Sequence, residues 1–299
     1  MHYQSCNVIV TKFIEEYIMF FKSALFTFIS FSLFSTATYA QDASTVAKDS
    51  TAIKEQPRHG SPLIPISRQY QCYKEGGFYW PADGTGITQG DCRAAYQLVY
   101  HKYIGKPGIV VPKEEEKEGV IRSKKNAVDI IEQSNYQFRQ WNETSKNIPR
   151  YNDQTAVEEA IPNGQLCSGG NVGTQWDDRD SVWNDKSGLD ATTAWRATDI
   201  EKTADGKIAI TYDATATHDP SFFMVYLSKP GYDPAKGALT WDDLDLLEKV
   251  ENITPVNQQY KFSVDAKGNT GKRVLYIRWQ RIDDVGEGFY SCSDVNIKG

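Results

Sequence analysis

Histidine is scarce in this chain, with four in 299 residues, and beyond the N-terminal leader only His59, His101 and His218 remain. Neutral imidazole is a common ligand for copper, so their placement matters. His59 opens what reads as the ordered part of the chain. His218 closes a strand-like run, Thr215-Ala216-Thr217-His218, ahead of Asp219-Pro220, which predicts a ligand at an exposed strand end. His101 falls in an apparent helix beside Tyr100 and Tyr103 and reads as a surface or packed residue. By type alone, His59 and His218 amount to a candidate metal site and nothing sharper.

Five cysteines form the second set. Cys6 lies in the leader, leaving Cys72, Cys92, Cys167 and Cys292. Four cysteines permit three pairings, and an oxidising compartment makes two disulfides the default. A structural zinc is the competing reading, weakened because no CxxC pair exists to set tetrahedral geometry.

The elements that must position these residues are strands for the most part. Ile208, Ile210 and Tyr212 alternate, as expected where one sheet face is buried. Phe222 to Leu227 and Val274 to Trp279 are continuous apolar runs, and Tyr290 to Ile297 closes the chain. Gly, Pro, Asp and Asn clusters separate them, notably Lys229-Pro230-Gly231 and Lys267-Gly268-Asn269. Before them comes a loop-rich region from Pro62 to Gly86, then a predicted helix over Asp91 to Tyr103, a solvated charged run from Lys113 to Glu118, and a second predicted helix over Lys124 to Trp141. This order predicts an all-β sandwich with a loop-helix region inserted early.

Composition fits a soluble globular protein, 40% hydrophobic and 24% charged, with 17 Tyr and 7 Trp. The net charge of −6 argues against non-specific binding to nucleic acid or to an anionic membrane, and leaves a neutral polymer unaffected. From Met19 the chain reads MFFKSALFTFISFSLFSTATYA, with Lys22 as charged n-region, an apolar core from Ala24 to Leu33 and a small-x-small ending at Ala40. The expected organisation is therefore 1–40 as a signal peptide with an upstream extension, 41–58 as a flexible linker or pro-segment, and 59–299 as the working domain of a secreted protein.

Five blocks, in order, carry a family resemblance. They are His59-Gly60-Ser61-Pro62 leading to Ser67-Arg68-Gln69-Tyr70-Gln71-Cys72, then Phe78-Tyr79-Trp80-Pro81 leading to Cys92-Arg93-Ala94-Ala95-Tyr96. Leu166-Cys167-Ser168-Gly169-Gly170 follows, with Gly169 where the family usually has Ala. The fourth runs from Ala216-Thr217-His218 through Lys229-Pro230-Gly231-Tyr232 to Leu239-Thr240-Trp241-Asp242-Asp243-Leu244. The last runs from Trp279-Gln280-Arg281 to Glu287-Gly288-Phe289-Tyr290-Ser291-Cys292-Ser293-Asp294-Val295. Across residues 59–299 the chain resembles the bacterial and viral lytic polysaccharide monooxygenases, and especially their fusolin and spindolin branch.

The resemblance implies an immunoglobulin- or fibronectin-III-like sandwich with copper as cofactor. His59 would bind the metal twice, through its α-amine and Nδ1, and His218 would complete a T-shaped set of three nitrogens. It implies an aromatic ring, Phe289, at the metal's axial face, a small residue, Ala216, beside the metal, and a nearby carboxylate, Glu287. Arg281 is the partner considered for Glu287, although its spacing to Phe289 is one residue longer than in some cellulose-active members. Tyr70, Tyr79 and Trp80 would meet the polysaccharide, and the disulfides would be Cys72–Cys92 and Cys167–Cys292. The implied activity is oxidative cleavage of crystalline chitin at C1, using hydrogen peroxide or oxygen with an external reductant, by a monomer. The alternatives are a non-catalytic chitin-binding adhesin or virulence factor, and cellulose as the substrate.

Overall fold

The alternation at Ile208, Ile210 and Tyr212 and the unbroken runs further on mark two different kinds of strand, and the computed structural model separates them into two sheets. It describes residues 59–76, 80–113 and 127–299. The expected signal peptide and linker, Tyr79 and most of the charged run from Lys113 lie outside the described residues. The chain begins with β1 (Gly60–Ile64), α1 (Arg68–Glu75), α2 (Gly90–Tyr103), β2 (Ile109–Val110), β3 (Val128–Asp129), α3 (Ile130–Arg139), β4 (Ser145–Asn147) and α4 (Gln154–Ala160). It continues with β5 (Val172–Asp177), β6 (Val182–Asp185), β7 (Thr198–Ile200), β8 (Lys207–Ala214), β9 (Ser221–Ser228), β10 (Leu244–Glu251), β11 (Gln259–Asp265), β12 (Gly271–Arg281) and β13 (Glu287–Ile297).

A three-stranded antiparallel sheet, β1-β8-β11, faces a six-stranded sheet ordered β10-β9-β12-β13-β4, with β7 added parallel to the end of β13. The small sheet buries one face, so β8 alternates between buried and more open positions. The large sheet is covered on both faces, which is why β12 and β13 read as near-continuous buried runs. Leu275, Ile277, Trp279, Phe289 and Val295 point into the sandwich and meet Ile208, Ile210, Tyr212, Tyr260 and Val264 from the small sheet. Their neighbours Val274, Tyr276, Tyr290 and Cys292 point the other way, into a second core with Cys72, Cys92, Ala95, Tyr96 and Phe138 of the helical insertion. The fold is the β-sandwich with an inserted loop-helix region.

The insertion is tied down covalently and electrostatically. Cys72–Cys92 joins α1 to α2, and Cys167–Cys292 joins the segment after α4 to β13. The second closes a sequence separation of 125 residues. In the chain-entropy model such a cross-link stabilises the fold by ~4–5 kcal/mol. Arg68 of α1 donates to Asp294 of β13 through Nε at 2.6 Å and Nη2 at 3.0 Å, both side chains buried, and lies 4.5 Å over the Trp195 ring. A buried charge pair of this kind is stable only when its hydrogen bonds are complete, and the remaining Nη1 donates to the Leu189 carbonyl.

Some local expectations change. The second helix is shorter than Lys124 to Trp141: it runs from Ile130 to Arg139, because Asp129 caps it by accepting from the Ile131 N–H while Val128–Asp129 pairs with β2. The loop-rich stretch after Pro62 contains α1, started by Ser67, whose hydroxyl accepts from the Tyr70 N–H. The hairpin β5–β6 and α4 had no periodic signal. No helix among the described residues is long and apolar enough to cross a membrane.

Candidate metal centre

His59 enters the sandwich at the start of β1. Its carbonyl accepts from Thr215 Oγ1 at 3.1 Å and from the Ala216 N–H at 3.4 Å, so the β8–β9 connection is fastened to it. Gly60 makes this approach feasible. A Cβ there would lie 2.5 Å from Tyr212 Cε1 and 2.7 Å from the Asp213 carbonyl oxygen, distances no side chain tolerates. On the other side the Gly60 N–H donates to the Asn142 carbonyl at 2.9 Å.

His218 lies in that same β8–β9 connection, past the end of β8 at Ala214. It is 3% exposed, so the exposed strand-end expectation is corrected. The physical reason is Tyr260, reaching across from β11. Its phenol accepts from the His218 N–H at 3.0 Å and donates to the His218 carbonyl at 2.8 Å, drawing the loop onto the core. Ser221 Oγ also donates to that carbonyl, and accepts from Trp279 Nε1.

The two imidazoles meet at one phenyl ring. Phe289, in β13 and 1% exposed, has its centroid 5.8 Å from His59 and 5.7 Å from His218. Trp279 backs this group, 5.1 Å from Phe289 and 5.0 Å from His218. His59 Nδ1 is buried without a hydrogen-bond partner, which is costly unless something else satisfies it. Burial lowers the His59 imidazole below the usual histidine value; the Glu143 carboxylate opposes this, while Arg179 and Lys186 reinforce it. A neutral imidazole with an unsatisfied nitrogen, with a second imidazole packed on the same aromatic ring, has the donor chemistry that copper binding needs. The residues present fit the metal.

The surrounding charges come from several segments. Glu287, at the start of β13, accepts from Arg281 Nη1 at 3.1 Å, and Arg281 also pairs with Asp283 at 2.7 Å. Burial pushes the Glu287 carboxyl above the ordinary value, against the pull of Arg281. Glu143, in the turn before β4, was not legible as a site residue in the sequence. Its Oε1 sits 3.8 Å from His59 Nε2 and accepts from Arg179 Nη2 at 2.6 Å. Below it the buried Lys186 donates to the Glu143 carbonyl at 2.7 Å, and burial pushes its ammonium down to about 8. Ala216 is half-buried at the hydrogen bond with His59.

Of the expected contact residues, Tyr70 joins an open aromatic group. It lies 4.2 Å from Trp141 and 6.2 Å from Tyr73, which is 45% exposed. Trp141 precedes Asn142, the residue that holds Gly60, so the group adjoins His59. Trp141 and Tyr73 escaped the sequence reading because Trp141 ends a predicted helix and Tyr73 lies just past the block that closes at Cys72. Trp80 is instead half-buried against the cluster of Ala82, Val99 and Tyr103, and Tyr79 lies outside the described residues. His101 is exposed on α2, edge-on to Tyr100.

The family described as lytic polysaccharide mono-oxygenase, cellulose-degrading, matches residues 59–295. The chain is 31% identical over 259 residues to a spindolin of Choristoneura biennis entomopoxvirus, covering 82% of this chain and 70% of that protein. It is 32% identical over 163 residues to the chitin-binding protein CbpD of Pseudomonas aeruginosa, covering 53% of this chain but only 37% of that protein. Among solved structures it is similar to the fusolin of Wiseana spp entomopoxvirus spindles, with a TM-score of 0.65 and 32% identity over 80% of this chain and 82% of that one.

Proposed function

The chain belongs to the lytic polysaccharide mono-oxygenase family, and from that membership we propose that residues 59–299 form a secreted, copper-dependent monooxygenase that cleaves crystalline chitin by oxidising C1 of the glycosidic bond. The observation that carries this reading is the pair of buried imidazoles that both pack against Phe289, with His59 Nδ1 left without a partner. His59, through Nδ1 and a free α-amine, and His218 would hold the metal. When bound, copper supplies the one-electron redox chemistry by which hydrogen peroxide, or oxygen with an external reductant, oxidises the sugar carbon.

The remaining roles belong to the protein. Phe289 packs against both imidazoles with a ring that offers no ligand and excludes water from that side. Tyr260 and Ser221 fix the backbone of His218, so the second imidazole is oriented before any metal arrives. Glu287, kept protonated to higher pH than an ordinary carboxyl, can hold or deliver a proton beside the site, with Arg281 setting its position. Ala216 keeps the approach open. Tyr70, with Trp141 and Tyr73, offers ring faces on which sugar rings stack, next to His59.

Chitin is favoured over cellulose by the fusolin-like motifs and by the chitin-binding protein among the relatives. A chitin-binding adhesin or virulence factor without turnover is the second reading, motivated by residues 41–58: a chain that starts at Gln41 has an amide, not an amine, at His59. Release of oxidised chito-oligosaccharides from crystalline chitin, measured with and without reductant on protein that begins at His59, decides between them. Reductant-dependent release is the expected result, and binding without release overturns the enzymatic reading.

A further inference from the structure

A cavity adjoins the candidate metal centre, and the roles assigned above leave it unfilled. Its volume is about 470 Å³, within the ~300–1,000 Å³ range of small-ligand sites. Glu143 and Glu287 line it, and Glu143 Oε1 is 3.8 Å from His59 Nε2, so the cavity borders on the imidazoles. The β5–β6 hairpin contributes Gln175 and Trp176. Trp176 is 39% exposed, and Trp183, its partner across the hairpin register, is 37% exposed. Indoles are highly buried on average, so an open pair of them points to a surface that a ligand covers.

The hairpin holds Trp176 in a fixed place. Trp183 packs edge-on against it, with centroids 5.2 Å apart. The Trp183 backbone exchanges two hydrogen bonds with the Gln133 side chain of α3, at 2.8 and 2.9 Å. Tyr136 of α3 donates to Asp177 at 2.7 Å, and Lys102 of α2 donates to the Val172 carbonyl at 2.8 Å. A Cβ at Gly173 would run into the Tyr103 phenol, and the φ there is +80°, so glycine lets the strand close onto α2. The wall is therefore preorganised, which lowers the ordering cost of binding.

The charges around the cavity cancel. Glu143 and Asp177 both pair with Arg179, at 2.6 and 3.0 Å, and Glu287 accepts from Arg281 at 3.1 Å. Lys146 on the lining and the buried Lys186 beneath Glu143 offset the remaining negative charge, that of the exposed Asp178 included. A ligand of either sign gains little net attraction here. What the lining still offers is uncharged: the side-chain amides of the exposed Gln175 and Asn147, and the ring of Trp176. Amides donate to and accept from hydroxyl groups, while an indole covers flat apolar surface. A neutral ring with hydroxyls around its edge and C–H groups on its faces matches both.

We propose that this cavity is a subsite for one uncharged sugar unit of the polysaccharide, its ring stacked on Trp176. The inference rests on the polysaccharide reading and deepens it. Three consecutive residues join the two contact regions. Trp141 belongs to the open aromatic group with Tyr70, the Asn142 carbonyl holds Gly60 beside His59, and Glu143 lines the cavity. A polymer lying on Tyr70 and Trp141 can thus pass His59 and set a further unit against Trp176. Trp176 is then a positioning residue: it fixes which sugar of the chain lies over the metal centre.

The test is retention of the exported protein, kept metal-free with chelator, on crystalline chitin and in parallel on crystalline cellulose. Trp176→Leu keeps apolar packing against Trp183 and removes the ring, whereas Trp176→Tyr keeps a ring. On the polymer that retains the parent, Trp176→Leu should bind at least fivefold more weakly and Trp176→Tyr within threefold of the parent. Raising the salt should change the parent's affinity by less than twofold, because no charge is being read. A measurement on the parent alone covers the case of a misfolded variant: a saturating soluble oligomer of the same sugar should shield Trp176 from indole oxidation, mapped by peptide mass analysis. Full retention of Trp176→Leu, equal loss in both variants, strong weakening by salt, or an unshielded Trp176 overturns the subsite alone. Failure of the parent to be retained on either polymer overturns the polysaccharide reading, and the subsite with it.

Discussion

Tyr260 and His218 share two hydrogen bonds through one phenol oxygen, which accepts from the His218 N–H at 3.0 Å and donates to the His218 carbonyl at 2.8 Å. The ring itself is buried among Phe223 and Trp279, so Tyr260→Phe should keep the packing and lose only the clamp. The His218 N–H would then be left unsatisfied, at about 1–3 kcal/mol of stability. Loss of a group that orients a ligand typically weakens metal affinity by about 10–100-fold. Copper titration against a competing chelator checks this, and unchanged affinity would show that the loop needs no clamp.

Removing the imidazole is a different experiment. His218→Ala should abolish tight copper binding and all oxidative activity. Because His218 is buried against Trp279 and Phe289, it should also lower stability by about 1–3 kcal/mol through the space it leaves. Phe289→Tyr should retain copper and alter its spectroscopic signature, since it adds a phenol oxygen to the ring that both imidazoles touch. Copper bound with wild-type affinity by His218→Ala would sink the ligand assignment.

Glu287 yields a pH prediction. Burial raises its carboxyl above the unfolded value, so the protonated form is the one the fold favours. That contribution is fully present below the ordinary carboxylate pKa and is lost as pH rises through the raised native one. Glu287→Gln cannot ionise, so its stability relative to the parent should improve as pH rises from the ordinary carboxylate range towards neutrality. Arg281 keeps a partner in Asp283 throughout. Thermal unfolding of both proteins across that range measures it, and a constant difference between them would mean the carboxyl titrates normally.

What the sequence disclosed depended on how local each signal was. Ile208, Ile210 and Tyr212 announce a strand with one buried face, and Val274 to Trp279 a strand covered on both, because period and burial are written along a few consecutive residues. His59, His218 and Phe289 were legible only through motifs, since nothing in their spacing says that they meet. Glu143, Arg179 and Tyr260 were not legible at all. Glu143 and Tyr260 reach the site through pairing between distant segments, β4 on β13 and β11 on β8, while Arg179 arrives on the turn of the β5–β6 hairpin, which Gln133 and Tyr136 of α3 hold in place. A single polar residue in a turn carries no mark of which sheet edge it will sit beside.

The last prediction is that the active form begins at His59, which requires cleavage after Arg58. His59 and His218 supply two imidazole nitrogens, and the third nitrogen that the family resemblance implies is available only if the His59 nitrogen is an amine. An α-amine has an unperturbed pKa near ~8 and can lose its proton to a metal at mild pH, whereas a peptide amide cannot. Arg58 stands immediately before His59, as a trypsin-like protease requires, although Pro57 makes the site imperfect. Gln41 to Arg58 contains no aromatic residue and no apolar pattern that would bury it against a core. Direct cleavage by signal peptidase before His59 is the poorer route, because Gln56-Pro57-Arg58 lacks the small residues that enzyme prefers. Protein starting at His59 should therefore bind copper at least a hundredfold more tightly than protein starting at Gln41, and only the former should release oxidised sugars. Processing would then act as the switch that turns an inert precursor into an enzyme. Intact-mass analysis of the exported protein, paired with copper titration of each form, tests both the cleavage and the nitrogen set. A fully active protein that still carries Gln41 at its N-terminus would overturn both the processing step and the nitrogen set on which it rests.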